Sequence, residues 1–196
     1  MSIVKDTTRA IRMTLVLWVL SAIIYPLLMI IVGQVFFPFQ ANGSIVQNPQ
    51  GQPVGSALIG QAFTSEQYFI TRPSTVEYSI GEDAAPTGIS GASNLAPSNP
   101  ELIKRIHAEV EQLQQIDILP TADLIYTSGS GLDPHITVAA ANAQVQRVAR
   151  VRALPPDQIR ALITENTDGK FLEIFGEPGV NVFQLNLALD TLKSGS

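Results

Sequence analysis

From Met13 to Gly33 the chain reads MTLVLWVLSAIIYPLLMIIVG, with no ionisable group apart from Tyr25 and no polar stripe at any helical period. As a helix rising about 1.5 Å per residue, such a run matches a hydrocarbon core of about 30 Å. A core helix of a soluble domain would show a polar face where it meets water, so the pattern predicts a transmembrane helix. Ser21 is expected to bond back to its own helix, and Pro26 to kink it near Tyr25-Pro26. A cleaved signal peptide fits less well: its apolar region is about 7 to 15 residues and ends in small residues, whereas Gln34 to Phe39 is bulky and aromatic.

Beyond the anchor the pattern changes. Residues 40–100 are rich in Gly, Pro, Ser and Asn, and the apolar runs Ala57 to Ile59 and Tyr68 to Ile70 predict short strands joined by loops. Ala84 to Pro100 reads as a long surface loop. Ser98-Asn99-Pro100-Glu101 combines a capping residue, a first-turn proline and an early acid. Leu102, Ile103, Ile106, Val110 and Leu113 then recur at helical spacing. Asp123 to Thr127 reads as β-rich and leads into Ser128-Gly129-Ser130-Gly131-Leu132. Asp133-Pro134 is expected to cap a second helix through about Ala153, with Ala139, Ala140, Ala143 and Val148 on its apolar face. Pro155-Pro156 ends it, and a third helix turns Ile159, Leu162 and Ile163 inward. Asn181 to Leu187 fits a strand or a helix. The predicted fold class is an α+β soluble domain attached to one N-terminal transmembrane helix. Its divisions are a tail over 1–12, an anchor over 13–33 and an α+β domain over 34–196.

Charge orients this arrangement. Lys5, Arg9 and Arg12 precede the anchor against a single Asp6, which by the positive-inside rule keeps the tail in the cytoplasm and the domain outside. Past Gln34 there are 9 Lys plus Arg and 16 Asp plus Glu, a formal charge of −7 that disfavours nucleic acid and anionic lipid. Hydrophobic residues are 45% and charged residues 15%, too apolar for a disordered chain. With no cysteine there is neither a disulfide framework nor a thiolate nucleophile.

The polar motifs offer little chemistry. Ser128-Gly129-Ser130-Gly131 lacks the lysine of a phosphate-binding loop, for none lies between Arg105 and Lys170. Ser128, Asp133 and His135 contain the residue types of a hydrolase triad, but crowding within one turn seldom gives its geometry, and Asp133 is better read as a helix cap. Two histidines, His107 and His135, exclude a histidine-rich metal site, and no alternating acidic loop suggests Ca²⁺. Arg147, Arg150 and Arg152, with Arg160 beyond, read either as a solvated face or as a docking surface for carboxylates, with Asp133 and His135 as further docking candidates. No self-sufficient active site emerges.

Gly131-Leu132-Asp133-Pro134-His135, followed by Ala139-Ala140, Gln144-Val145 and Arg147-Val148-Ala149-Arg150, resembles the C subunit of the Kdp potassium-transporting P-type ATPase. Supporting strings run from Tyr25-Pro26 through Gln40 to Ser44, Leu58 to Gln61, Tyr68-Phe69, Arg72-Pro73-Ser74, Ser93-Asn94-Leu95 and Gly176-Glu177-Pro178 to Leu185 to Asp190. The resemblance implies a non-catalytic subunit of a high-affinity, ATP-driven potassium uptake complex in the bacterial cytoplasmic membrane. Its implied partners are a channel-like potassium-binding subunit, the P-type ATPase subunit, a small single-helix subunit and the bilayer. It also implies a catalytic chaperone that raises the ATP affinity of the ATPase subunit, with ATP and potassium acting at the level of the complex and no cofactor held by this chain itself. The family's Ser-Gly-Gly-Ser stretch corresponds to Ser90-Gly91-Ala92-Ser93, next to Asn94, with alanine in place of the second glycine. ATP is cytoplasmic and the charge pattern puts Ser90 to Ser93 outside, so an ATP effect is expected to pass through the partners. An anchored extracytoplasmic binding protein is the alternative expectation.

Overall fold

The computed structural model describes residues 3–48, 50–79 and 89–193. Their backbone forms two compact units, one up to Gly55 and one from Ser56 onward.

The first unit begins with one continuous helical run, Ile3–Phe36, long and apolar enough to cross a membrane. Helix α1 (Ile3–Val19) and helix α2 (Tyr25–Phe36) are joined by a π-helical turn, Leu20–Ile24, and no side chain in either helix is buried. The disturbance expected at Tyr25-Pro26 thus takes the form of a π turn on its N-terminal side, where Tyr25 N donates to Leu20 O. Ser21 Oγ donates to Leu17 O at 2.7 Å, as the sequence suggests. The run overshoots residues 13–33 at both ends, because helix geometry does not stop where apolarity does. A short helix α3 (Pro38–Ala41) and a pair of hydrogen-bonded strands, β1 (Ile45–Gln47) and β2 (Pro53–Ser56), complete this part of the chain.

The second unit is α+β. Helix α4 (Pro100–Gln115) starts where expected: Asn99 Oδ1 accepts from Glu101 N at 2.9 Å and Pro100 fills the first turn. It buries Leu113, while Ile103 is 52% exposed, so its predicted apolar stripe is only partly covered. Asp123 to Thr127 is not a strand; helix α5 (Ala122–Ile125) occupies it and buries Leu124. The second predicted helix also starts later than expected. Strand β3 (His135–Thr137) comes first, and Thr137, whose Oγ1 accepts from Ala140 N at 3.1 Å, caps helix α6 (Val138–Arg152). Asp133 instead accepts from His135 N at 3.0 Å, an Asx turn that feeds the strand. Ala139 is exposed, and α6 turns Ala140, Ala141, Val145 and Val148 inward. Helix α7 (Pro156–Glu165) buries Ile159, Leu162 and Ile163 as predicted.

Strand β4 (Thr167–Asp168) and strand β5 (Gly179–Asn181) complete a three-stranded antiparallel sheet in the order β3-β5-β4, with His135 opposite Asn181. Helix α8 (Val182–Lys193) follows β5 without a break, so Asn181 to Leu187 holds both elements that its pattern allowed. The core gathers Phe69, Ile136 and Val180 with the inner faces of α6, α7 and α8, including Leu185 and Leu189. Neither Ala57 to Ile59 nor Tyr68 to Ile70 is a strand. Of the predicted loop 84–100, residues 84–88 lie outside the described residues, and 89–99 carry no helix or strand.

Candidate functional site

Segment 66–72 runs from a turn into irregular chain that pairs with no strand, and side chains bond the backbone of 66–70 instead. Asn186 on α8 brackets Phe69, accepting from its N–H and donating to its carbonyl, both at 2.9 Å. Gln144 on α6 does the same for Ile70, at 2.8 and 3.2 Å. Arg147 donates to Glu66 O, to Tyr68 O at 2.8 Å and to Gln144 Oε1 at 3.0 Å. Arg152 reaches Gln67 O and Leu189 O, pairs with Asp190 at 2.8 Å, and lies 4.9 Å from the Tyr68 ring centre. Two helices thus hold an irregular segment as an edge strand would, because its buried N–H and C=O groups require partners.

This corrects the expectation of a solvent-facing arginine row. Arg147 is 3% exposed and Arg152 equally covered at its side chain, so neither guanidinium is presented to a partner. Burial holds the Arg147 pKa below its ordinary value, with nearby Glu66 opposing. Arg150, 3.7 Å from Asp117, and Arg160, paired with Asp157 in its own helix, are the exposed ones.

The clamp delivers Arg72 to Asp133 at 3.2 Å, opening a polar row along the sheet. His135 faces Asp133 through Nδ1 at 3.5 Å and Asp168 through Nε2 at 2.9 Å. The Asp133 hydrogen bond raises the His135 pKa above its ordinary value, burial opposes this, and Asp168 adds to the rise. Asp168 is closer but more exposed, so water weakens its influence. Burial pushes Asp133 upward, yet the His135 hydrogen bonds and the Arg72 charge outweigh it and hold Asp133 below the usual carboxylate value.

The two serine-glycine loops meet. Ser90 Oγ and Gly91 N both donate to Ser130 O, at 3.0 and 2.8 Å, and Thr75 Oγ1 donates to Gly91 O. Ser128, 5% exposed, accepts from Gly131 N at 2.8 Å, and Ser130 Oγ accepts from Leu132 N. Gly131 sits at φ +67°, and a Cβ there would come within 2.8 Å of Gly91 O and 2.5 Å of Val76. The N–H groups that a phosphate cradle would offer at Gly91, Gly131 and Leu132 are therefore already engaged. Ser93 is half-buried, and Asn94 is exposed at φ +50°. Ser128 and His135 form no hydrolytic pair, since both imidazole nitrogens face carboxylates. Among the described residues no cluster of three or more His, Asp or Glu is placed to hold a metal.

Beside the clamp lies a groove of about 590 Å³, lined by Phe63, Glu66, Ile70, Arg72, Glu109 and Arg147 among others. Burial raises the Glu109 pKa, with Arg105 opposing.

The sequence reading passed over one feature. Between β4 and β5 the chain forms a small hairpin, bridged at Phe171 and Phe175, that exposes Phe171 71%, Leu172 68%, Ile174 72% and Phe175 61%. Its signal was available as four bulky apolar residues between Gly169 and Gly176.

Comparison with known proteins gives one consistent result. The family model described as "K+-transporting ATPase, c chain" matches residues 7–191. The potassium-transporting ATPase KdpC subunit of Synechocystis sp. is 59% identical over 95% of this chain and 98% of its own length. KdpC subunit 1 of Nostoc sp. is 62% identical, covering 98% of this chain and 99% of its own. The KdpC subunit of Caldanaerobacter subterraneus is 43% identical over 94% of both.

Proposed function

The chain belongs to the KdpC family, the c chain of K⁺-transporting ATPases, and from that premise we propose that it is a non-catalytic accessory subunit anchored by one helix, needed to assemble or stabilise the pump. The observation that carries the anchoring is the helical run Ile3–Phe36, apolar through its centre and without one buried side chain. Left in water, so much apolar surface would be costly, whereas lipid accommodates it. Lys5, Arg9 and Arg12 orient it with the N-terminus in the cytoplasm of a bacterial inner-membrane protein and the body outside. Its partners are the channel-like potassium-binding subunit, the ATPase subunit and the small single-helix subunit.

A chaperone effect on ATP affinity then reaches the ATPase subunit through contacts that differ between states of the assembly. What supports an indirect route is the engagement of the Gly91, Gly131 and Leu132 donors within the body and its formal charge of −7 past Gln34. Co-purification from membranes is the test. The full chain should bring down the other pump subunits in stoichiometric amounts, and a chain that purifies alone at full yield refutes the accessory reading. The groove of about 590 Å³ favours a second reading, an anchored extracytoplasmic binding protein; saturable binding of a small ligand by the chain purified without partners would select it.

A further inference from the structure

Exposed apolar residues scattered singly are ordinary, but four bulky ones within five positions are not. Phe171, Leu172, Ile174 and Phe175 stand out from the β4–β5 connection, each 61–72% exposed. With such side chains offering roughly 150–250 Å² each, they present about 500 Å² of apolar surface, near the largest patch a typical monomer shows. The hairpin is nonetheless well formed. Phe171 N donates to Phe175 O at 2.8 Å and Phe175 N to Phe171 O at 2.9 Å, with Glu173 N and Ile174 N closing the turn onto Lys170 O and Phe171 O. Leu172 and Glu173 take φ values of +52° and +61°, a conformation that suits Asn or Gly far better than leucine. A bulky residue is thus held strained and exposed where a polar turn would fold more readily. The chain's own core gains nothing from it.

Three occupants compete for such a knob. A bilayer surface is disfavoured because Glu173 sits in the turn and would enter the hydrocarbon with its neighbours, and because Asp168, Glu173 and Glu177 outnumber Lys170. A second copy of the chain would bring two such acidic flanks together. Another protein chain with an apolar hollow and a basic rim meets both requirements. The size of the knob supports this, since about 500 Å² is short of the ~800 Å² per partner of a stable interface. It suffices only where another attachment already raises the local concentration, which an anchoring helix in the same membrane provides.

We infer that the Phe171–Phe175 hairpin is a docking knob that inserts into an apolar, basic-rimmed hollow on the extracytoplasmic surface of another chain of the same ATPase. This rests on the accessory-subunit reading. Its test uses the assembled pump in native membranes, with Leu172→benzoylphenylalanine as a photo-crosslinker. An adduct with another pump chain is expected; adducts only with lipid, only with a second copy, or none at all overturn the inference. In parallel, Phe171→Ser combined with Ile174→Ser should lower retention of the other chains in detergent by roughly tenfold or more, the scale of losing interface anchors. The melting temperature of the purified chain should not change, and Leu119→Ser, at an equally exposed site of 72%, should retain them fully. Undiminished retention by the double variant overturns the inference alone. Failure of the unaltered chain to recover any partner overturns the accessory reading itself.

Discussion

Removing the carboxamide of Asn186 is the sharpest test of how this body holds together. Asn186 is 1% exposed and Phe69 is 0% exposed, and the two exchange a pair of 2.9 Å hydrogen bonds. Asn186→Ala leaves the Phe69 N–H and C=O unpaired at a site closed to bulk water. Each buried, unsatisfied group costs about 1–3 kcal/mol, so the loss should be about 2–6 kcal/mol. Entry of a water molecule would move it toward the lower figure. Against a total stability of about 5–15 kcal/mol, that lowers the melting temperature by on the order of 10 °C. The assay is thermal unfolding of the detergent-solubilised full chain by near-ultraviolet circular dichroism, with hydrogen exchange at the Phe69 amide as a local readout. Asn142→Ala is the control, because Asn142 is exposed and bonds only to Val138 O of its own helix; its effect should stay within about 0.5 kcal/mol. If both variants melt alike and the Phe69 amide stays protected, the side-chain clamp does not bear the segment and the reasoning fails.

Gly131→Ala should destabilise the body and raise proteolysis near 89–93, since both its left-handed φ and its approach to Gly91 O resist a Cβ. A melting point equal to that of the unaltered chain would refute this. The polar row predicts two pH limbs. His135, with its pKa raised, contributes stability that is complete below about 6.5 and lost as pH rises through the raised value. Asp133, with its pKa lowered, contributes stability present above about 3.9 and lost as pH falls through the lowered value. His135→Gln should therefore flatten the alkaline limb of a melting profile between about pH 5 and 9; an unchanged profile would show that the pair to Asp133 and Asp168 carries no stability. Replacing Leu15, Val16 and Ile23 with charged residues should abolish membrane retention under alkaline washing, since a charge near mid-bilayer, as at Ile23, costs about 2.5–3.5 kcal/mol and two more lie within the same span. Normal pump yield from that variant would show the helix to be dispensable. Calorimetric titration of the purified chain with Mg-ATP should show no saturable binding tighter than about millimolar, because nothing offsets like charge brought together; micromolar binding lost on changing Ser90 or Ser93 would revive a direct nucleotide contact.

The elements legible in the sequence were those whose signals are local. Apolarity alone marks Met13 to Gly33, a cap followed by helical spacing marks α4, and a proline break followed by helical spacing marks α7. Where partners come from afar, reading failed. Tyr68 to Ile70 looks like a strand because it is a short apolar run, yet its hydrogen bonds go to Asn186 and Gln144, more than 70 positions away. Asp133-Pro134 has the form of a helix cap, but pairing of His135 with Asn181 turns the next three residues into a strand and hands capping to Thr137. Arg147 and Arg150 share a helix and a charge; the packing of segment 66–68 over Arg147 distinguishes the buried one from the open one.

The strings that carry the family resemblance fall largely on this long-range stitching. Tyr68-Phe69 and Arg72-Pro73-Ser74 are the segment being held, while Gln144, Arg147 and Asn186 hold it. Gly131 is where the 128–131 loop passes the 89–93 loop, and Asp133 with His135 ties β3 to Arg72 and Asp168. Each of these roles closes the body on itself. A subunit whose recognisable residues are spent on rigidity acts through the surfaces that rigidity presents. In this chain the surfaces with unmet physical demands are the apolar helix Ile3–Phe36 and the apolar hairpin at Phe171–Phe175. On the reading proposed above, lipid meets the first demand and a neighbouring subunit the second, which is what an accessory role in a membrane pump requires.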